Sequence, residues 1–198
     1  SVEEKAKMYE NSYKKFTEAG YVAIGMDHFC RPNDEFYLAL KNNQLHRNFQ
    51  GYCTTKTTGQ VYGFGASSIS QLFSAYSQNV KNAAQYIKKI NEKNTAVLRG
   101  YNLNKNEKII RDVINSIMCN YYVDFSEISE RFNTNSKNIK EILDFKDEKF
   151  DDFLNLNLMR IKNDTVSISH DARLFIRNIA MEFDPLLNNK IGTYSKTI

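Results

Sequence analysis

The sequence predicts an α/β fold followed by a mostly helical part, and three stretches carry that prediction. Residues 2–32 run helix, glycine, apolar strand and polar loop, the repeat unit of α/β proteins. Residues 104–122 form the strongest amphipathic helix pattern in the chain. Beyond it, short helical stretches lead into two alternating segments around Asn163-Asp164 and a last helix, the plan of a winged-helix domain. With 198 residues, 41% hydrophobic and 13% aromatic, the chain can bury a core as one large domain or two small ones.

Taken in order, Val2 to Ala19 places Ala6, Tyr9, Tyr13 and Phe16 on one helix face, and Gly20 stands where a C-terminal cap glycine belongs. Tyr21 to Met26 reads as a strand that gives way to a ligand-binding loop, Asp27 to Pro32. Asn33 is expected to cap a helix over Asp34 to Lys41, whereas Gln44 to Gln60 reads as irregular. Val61 to Gly65 reads as a strand, followed by an element around Ile69 to Phe73 and a helix from Asn79 to Glu92. Lys93 to Tyr101 is the expected junction, dividing the chain into residues 1–100 and 101–198. In the second half Asn104 to Tyr122 buries Ile109, Ile110, Val113, Ile114, Ile117, Met118 and Tyr121. Asp124 and Glu127 suggest a capping box for a helix reaching Phe132. Helices over Ser136 to Leu143 and Asp147 to Leu156 follow, then a hairpin of Met159 to Lys162 with Thr165 to Ser169, and a helix through Glu182.

Net charge is +4, with 27 basic and 23 acidic residues interleaved, which describes a mildly cationic surface rather than a nucleic-acid stripe. No apolar run approaches the roughly 20 residues of a membrane span. The first residue is Ser1 rather than Met, which implies a piece of a longer chain. Cys30, Cys53 and Cys119 lie far apart with no C-x-x-C run, so they read as small apolar fillers in a reducing, cytoplasmic setting, with no local metal site.

Three segments carry candidate chemistry. Asp27 and His28, beside Gly25, would orient a substrate or shuttle protons, or else bond loop amides. Arg31 would clamp a carboxylate, or else sit on the surface. Leu45-His46-Arg47-Asn48-Phe49-Gln50-Gly51-Tyr52 combines cationic, amide and aromatic groups suited to a flat polar ligand, or else is an ordinary loop. Gly63 to Ser70 lacks the lysine of a P-loop and the full glycine spacing of a dinucleotide fingerprint, so a close backbone approach to a ligand is the expectation there.

GYVAIGMDHFCRP, LHRNFQGY and GFGASSIS, then LRGYNLNKNEKIIRDVINSIMCN, ARLFIRNIAMEFD and the ending YSKTI, occur here in the order found in one family. On these phrases the chain resembles the C-terminal part of the oxygen-independent coproporphyrinogen III oxidases, radical S-adenosylmethionine enzymes of haem biosynthesis. The resemblance implies that the first half supplies the last strands and helices of a partial (β/α) TIM-like barrel, with the winged-helix-like part covering one side of the cavity. It implies a parent that oxidatively decarboxylates two propionates of coproporphyrinogen III to vinyl groups, using S-adenosylmethionine and a 4Fe–4S cluster. The family's C-x-x-x-C-x-x-C run is absent here, so this chain alone is expected to be inactive, with no catalytic residue and no metal ligand of its own. Phe49 and Gln50 match positions near a second S-adenosylmethionine, and Ile69 matches a position contacting S-adenosylmethionine. Asp27, His28, Arg31, His46 and Arg47 are the candidates for holding substrate, the cationic ones through its propionates.

The expected partners are therefore coproporphyrinogen III and the preceding barrel part of the same protein, with no membrane and no nucleic acid. Without that barrel part an unpaired sheet edge would favour self-association. Two rival readings are a stand-alone tetrapyrrole carrier and a winged-helix DNA-binding module. Against the latter, the expected recognition helix Asp147 to Leu156 carries more acids than bases.

Overall fold

The computed structural model describes residues 1–56 and 59–187. Part of the threonine cluster and the YSKTI ending fall outside them.

Helix α1 (Val2–Glu18) opens on a capping box: Ser1 Oγ accepts from Glu4 N, and the Glu4 carboxylate accepts from the Ser1 amino group. It closes through Gly20, where Gly20 N donates to Thr17 O and Tyr21 N to Phe16 O, each at 3.0 Å. The Phe16 and Tyr21 rings meet edge-on at 5.6 Å across that turn, the apolar contact such a cap calls for.

From here the chain departs from the expected strand and ligand loop. β1 (Val22–Ile24) turns through Gly25-Met26-Asp27 into β2 (His28–Cys30), an antiparallel pair with Ile24 opposite His28. Phe29 decides this: its ring stacks on Phe16 at 4.7 Å, so 28–30 must run back beneath α1. α2 (Glu35–Lys41) is capped by Asp34, not Asn33, because Asp34 has the extended backbone a cap needs and accepts from Phe36 N at 2.9 Å. The stretch that read as irregular is a hairpin, β3 (Leu45–Asn48) and β4 (Gly51–Thr54), with Leu45 opposite Thr54 and Arg47 opposite Tyr52.

Val61 makes only an isolated bridge to Gln71, in place of a strand over 61–65. β5 (Ile69–Gln71), β6 (Ala75–Asn79) and β7 (Val97–Asn102) form an antiparallel sheet in that order, with α3 (Ala83–Lys93) between β6 and β7. The helix expected from Asn79 starts four residues later, where Asn82 caps it by accepting from Gln85 N. The expected junction is β7 itself, so the boundary between residues 100 and 101 falls inside a paired strand.

α4 (Lys105–Asn120) buries Ile109, Ile110, Val113, Ile117 and Met118, as its period predicts. β8 (Tyr122–Asp124) then leads into α5 (Phe125–Arg131), where Asp124 caps alone by accepting from Ser126 N; Glu127 does not complete a box. α6 (Ser136–Ile142) follows after a tight turn, then a 3₁₀ turn (Asp147–Phe150) joined to α7 (Asp151–Asn155). β9 (Met159–Lys162) and β10 (Thr165–Ile168) form the expected hairpin, and β8 adds to β10 to complete a three-stranded sheet. The last helix is split into a 3₁₀ segment (His170–Phe175) and α8 (Ile176–Met181). The helix following α5 across the turn is thus α6, not the 147–156 segment, which leads into the hairpin instead.

One core spans both halves: Ile24, Cys30, Ala39 and Leu45 from the first pack into the same cluster as Ile109, Val113, Ile117, Phe150 and Phe183. The β5–β6–β7 sheet stands outside that cluster. Every strand pair among the described residues is antiparallel, so the parallel pairing of a (β/α) barrel is not built within them.

Candidate functional site

The β3–β4 hairpin organises the candidate residues, because alternate positions along β3 face opposite ways. Arg47 lies with its cross-strand neighbour Tyr52, guanidinium carbon 5.6 Å from the ring centroid. The His28 ring meets the same tyrosine edge-on at 4.9 Å, and His28 Nδ1 bonds Asp27 Oδ1 at 2.7 Å. Asp27, His28 and Arg47 therefore converge on Tyr52, whose phenol is buried against the Met26 main chain without forming a well-aligned hydrogen bond. Burial pushes that phenol up to about 12.

His46 faces the other way, into two adjoining cavities of about 230 Å³ each that share His46, Thr55, Asp112 and Arg131. Burial holds its imidazole below the usual range; Asp112 pulls it back, and Arg111 and Arg131 push it further down. Arg31 is in neither group. It closes the C-terminal end of α1, donating to Ala19 O at 3.3 Å with its guanidinium 4.2 Å from the Tyr21 ring centroid.

Phe49 and Gln50 form the tip of the hairpin. Gln50 N bonds Asn48 Oδ1, while Phe49 N donates to Gln71 Oε1 at 3.2 Å and its ring meets Tyr76 edge-on at 5.6 Å. That contact puts Phe49 over one face of the β5–β6–β7 sheet, where Ile69, Tyr76, Gln78, Arg99 and Tyr101 share the register. Together these residues line an open groove of about 400 Å³. Two of the three cofactor candidates, Phe49 and Ile69, thus meet in one groove, while Gln50, next to Phe49 at the hairpin tip, does not line it. Arg99 donates through Nε and Nη2 to Gln78 Oε1, at 3.0 and 2.7 Å. Sequence reasoning passed over Tyr76, Gln78, Arg99 and Tyr101, although their period-two spacing on two short strands was the available signal.

Three main-chain amides of Gly63 to Ser70 are taken within the chain. Gly63 N donates to Ser70 Oγ, Gly65 N to Tyr86 Oη and Ser67 N to Val80 O. Gly63 is needed because a Cβ there would lie 2.8 Å from the Ile69 carbonyl group; the close approach is internal to the loop.

The thiols are placed as packing groups. Cys30 and Cys119 are buried, and burial raises the Cys119 thiol to about 12. Among the described residues no three His, Cys, Asp or Glu side chains are grouped to hold a metal ion, so an iron–sulfur cluster finds no ligand set there. No described helix is long and apolar enough to cross a membrane. On α6, Lys140 pairs with Asp164 at 2.8 Å and donates to Asn163 O at 3.1 Å.

This mixed α/β arrangement is similar to part of a solved radical S-adenosylmethionine enzyme, with a TM-score of 0.85 and 34% identity over 94% of this chain and 42% of the other. That structure is the coproporphyrinogen III oxidase of Escherichia coli. Among curated proteins, the oxygen-independent coproporphyrinogen III oxidase of Salmonella typhimurium is 35% identical over 191 residues, 96% of this chain and 41% of the relative. Those of Helicobacter pylori and Thermostichus vulcanus are each 34% identical, covering 42% and 59% of the relative. No family model matches the chain. The chain is thus a homologue of oxygen-independent coproporphyrinogen III oxidases along nearly all its length, and spans about two fifths of the length of most of these relatives.

Proposed function

We propose that the chain is the C-terminal part of an enzyme that oxidatively decarboxylates coproporphyrinogen III to protoporphyrinogen IX, and that it binds rather than makes or breaks bonds. The observation that carries this reading is the groove in which Phe49, from one hairpin, meets Ile69, Tyr76, Gln78, Arg99 and Tyr101 from a separate sheet. Its aromatic faces suit an adenine, and Arg99, held by Gln78 through Nε and Nη2, keeps its Nη1 hydrogens for a carboxylate. S-adenosylmethionine offers both groups. Asp27, His28 and Arg47, gathered at Tyr52, form a second polar patch for the substrate. Arg31, engaged at the end of α1, is the weakest of the substrate candidates.

No ligand set for the cluster lies among the described residues, and we assign its chemistry to no residue of this chain. The order β8, α5, α6, β9, β10 supports a winged-helix-like cover for the cavity. The barrel reading rests on the likeness to the radical enzyme; its remaining strands would come from residues beyond this chain and would seat against β7, which is exposed along its whole length. Free cysteines suit a reducing cytoplasm.

The test is carbon dioxide release from coproporphyrinogen III by the full-length parent under anaerobic conditions. The parent is expected to be active and this chain alone inactive. Phe49→Ala in the parent should raise KM for S-adenosylmethionine about tenfold, the worth of a lost aromatic contact with its buried area. An inactive, cluster-loaded parent overturns the reaction, and unchanged kinetics for Phe49→Ala overturn the groove.

A further inference from the structure

The cavity at His46 carries a chemistry of its own. One of its two chambers is lined by His46, Thr55, Gln60, Gln71, Arg111, Asp112 and Arg131 along with main chain and apolar groups. Two guanidinium groups face one carboxylate there, and that carboxylate is already matched, Asp112 Oδ2 lying 2.8 Å from Arg131 Nη1. Arg131 has no other partner among the described residues, so Nε and Nη2 keep their hydrogens for a ligand. Arg111 is spent partly on Leu72 O and Phe73 O, which pins its positive charge against the chamber. Gln71 is 8% exposed, and its carbonyl accepts from Phe49 N while its amide nitrogen donates to no described group. A neutral imidazole, a free amide and two guanidinium groups together make a donor-rich recess with net positive charge.

We propose that this chamber is a carboxylate pocket that admits a short acid arm, in which Arg131 and Gln71 bind the carboxylate and His46 closes over it. Its volume of about 230 Å³ admits a propionate-sized group with room left over. Gln71 gives the pocket a second role: the side chain that would meet the acid also fixes Phe49 at the groove. Filling the pocket thus orders the hairpin tip that the groove needs. If the proposed function holds, the acid is a propionate of the tetrapyrrole, and the pocket rests on that reading only for the ligand's identity.

The test is a titration of this chain with sodium propionate, followed by NMR at the His46 ring and the Gln71 side-chain amide. Saturable shifts are expected, with none from propionamide and none from sodium chloride at matched ionic strength. Arg131→Gln should weaken binding about tenfold, the worth of a charge-assisted hydrogen bond. Asp112→Asn/Arg131→Gln, which removes the ion pair as a unit and leaves no orphaned charge, should weaken it equally. Shifts that chloride reproduces, or that survive both variants, overturn the pocket. Coproporphyrin titrated in parallel separates the two claims. Propionate binding without coproporphyrin binding keeps the pocket and sinks the tetrapyrrole reading. Coproporphyrin binding equally to wild type and both variants does the reverse.

Discussion

At Gly25 the main chain turns with φ +56°, and a Cβ there would lie 1.7 Å from Tyr52 Oη. The carbonyls of the same turn are held from two directions: Tyr121 Oη donates to Gly25 O at 2.6 Å, and Tyr9 Oη donates to Met26 O at 2.9 Å. Three phenols from α1, β4 and the end of α4 thus fix the turn that presents Asp27 and His28. The glycine was legible as a place of close approach; what approaches is a tyrosine of this chain, 27 positions away, which no local pattern announces. Gly25→Ala combines a left-handed backbone cost with overpacking, so it should lower stability by about 3 kcal/mol in chemical denaturation. A loss below about 0.5 kcal/mol, the usual scatter of surface changes, would mean that the turn is not built this way.

At the scale of elements, β7 and α4 are joined by Glu107. Its carboxylate accepts from Asn104 N at 2.9 Å and also from the Tyr101 hydroxyl, while Asn104 Oδ1 accepts from Glu107 N at 3.0 Å. One acid therefore completes the capping box and anchors the last residues of the strand that lines the groove. Asn104→Ala should cost about 1 kcal/mol in thermal or denaturant unfolding, and Asn104→Gly only a few tenths; equal losses for the two would show that the side-chain cap is not the cause. α4 was legible because sixteen residues give its period room to repeat, and the hairpin at Asn163-Asp164 because polar turn residues separate two alternating runs. The shorter strands were not. β3 is held by Asn120, whose side chain accepts from Leu45 N and donates to Leu45 O, each at 3.1 Å and 75 positions away. β2, at three residues, and β7, with Gly100 inside it, offer too little alternation to outweigh a loop reading. Accordingly the helical half was readable nearly element by element, while the groove, made of short strands, was visible only through Phe49, Gln50 and Ile69.

Across the whole molecule, the two halves are tied by buried groups that resist ionisation. Arg173 reaches from the C-terminal 3₁₀ segment to α1, donating to Tyr9 Oη at 3.2 Å with its guanidinium 3.7 Å from the Tyr13 ring centroid. Nearby, burial raises Tyr52 from 10 to about 12 and Cys119 from 9 to about 12, and burial with the neighbouring Tyr52 raises Tyr121 as well. The sign follows from linkage. Above the ordinary values the unfolded chain releases these protons while the folded chain keeps them, so the unfolded state gains and stability falls as pH rises. Well below pH 9 the three groups are protonated in both states and contribute no slope. From about 9 for Cys119 and from about 10 for the two tyrosines, up to about 12, each adds a loss of up to about 1.4 kcal/mol per pH unit, so alkaline unfolding should be steep. Tyr52→Phe isolates one of them. At neutral pH it removes a buried hydroxyl that makes no well-aligned hydrogen bond, and stability should hold or rise slightly. In the alkaline window, urea titrations under reductant should show a slope smaller by about one proton. An unchanged slope would show that the Tyr52 phenol ionises freely in the folded chain. The contact between Tyr52 and the Gly25 turn would then be open to solvent, and the packing that joins Asp27, His28 and Arg47 into one patch would fall with it.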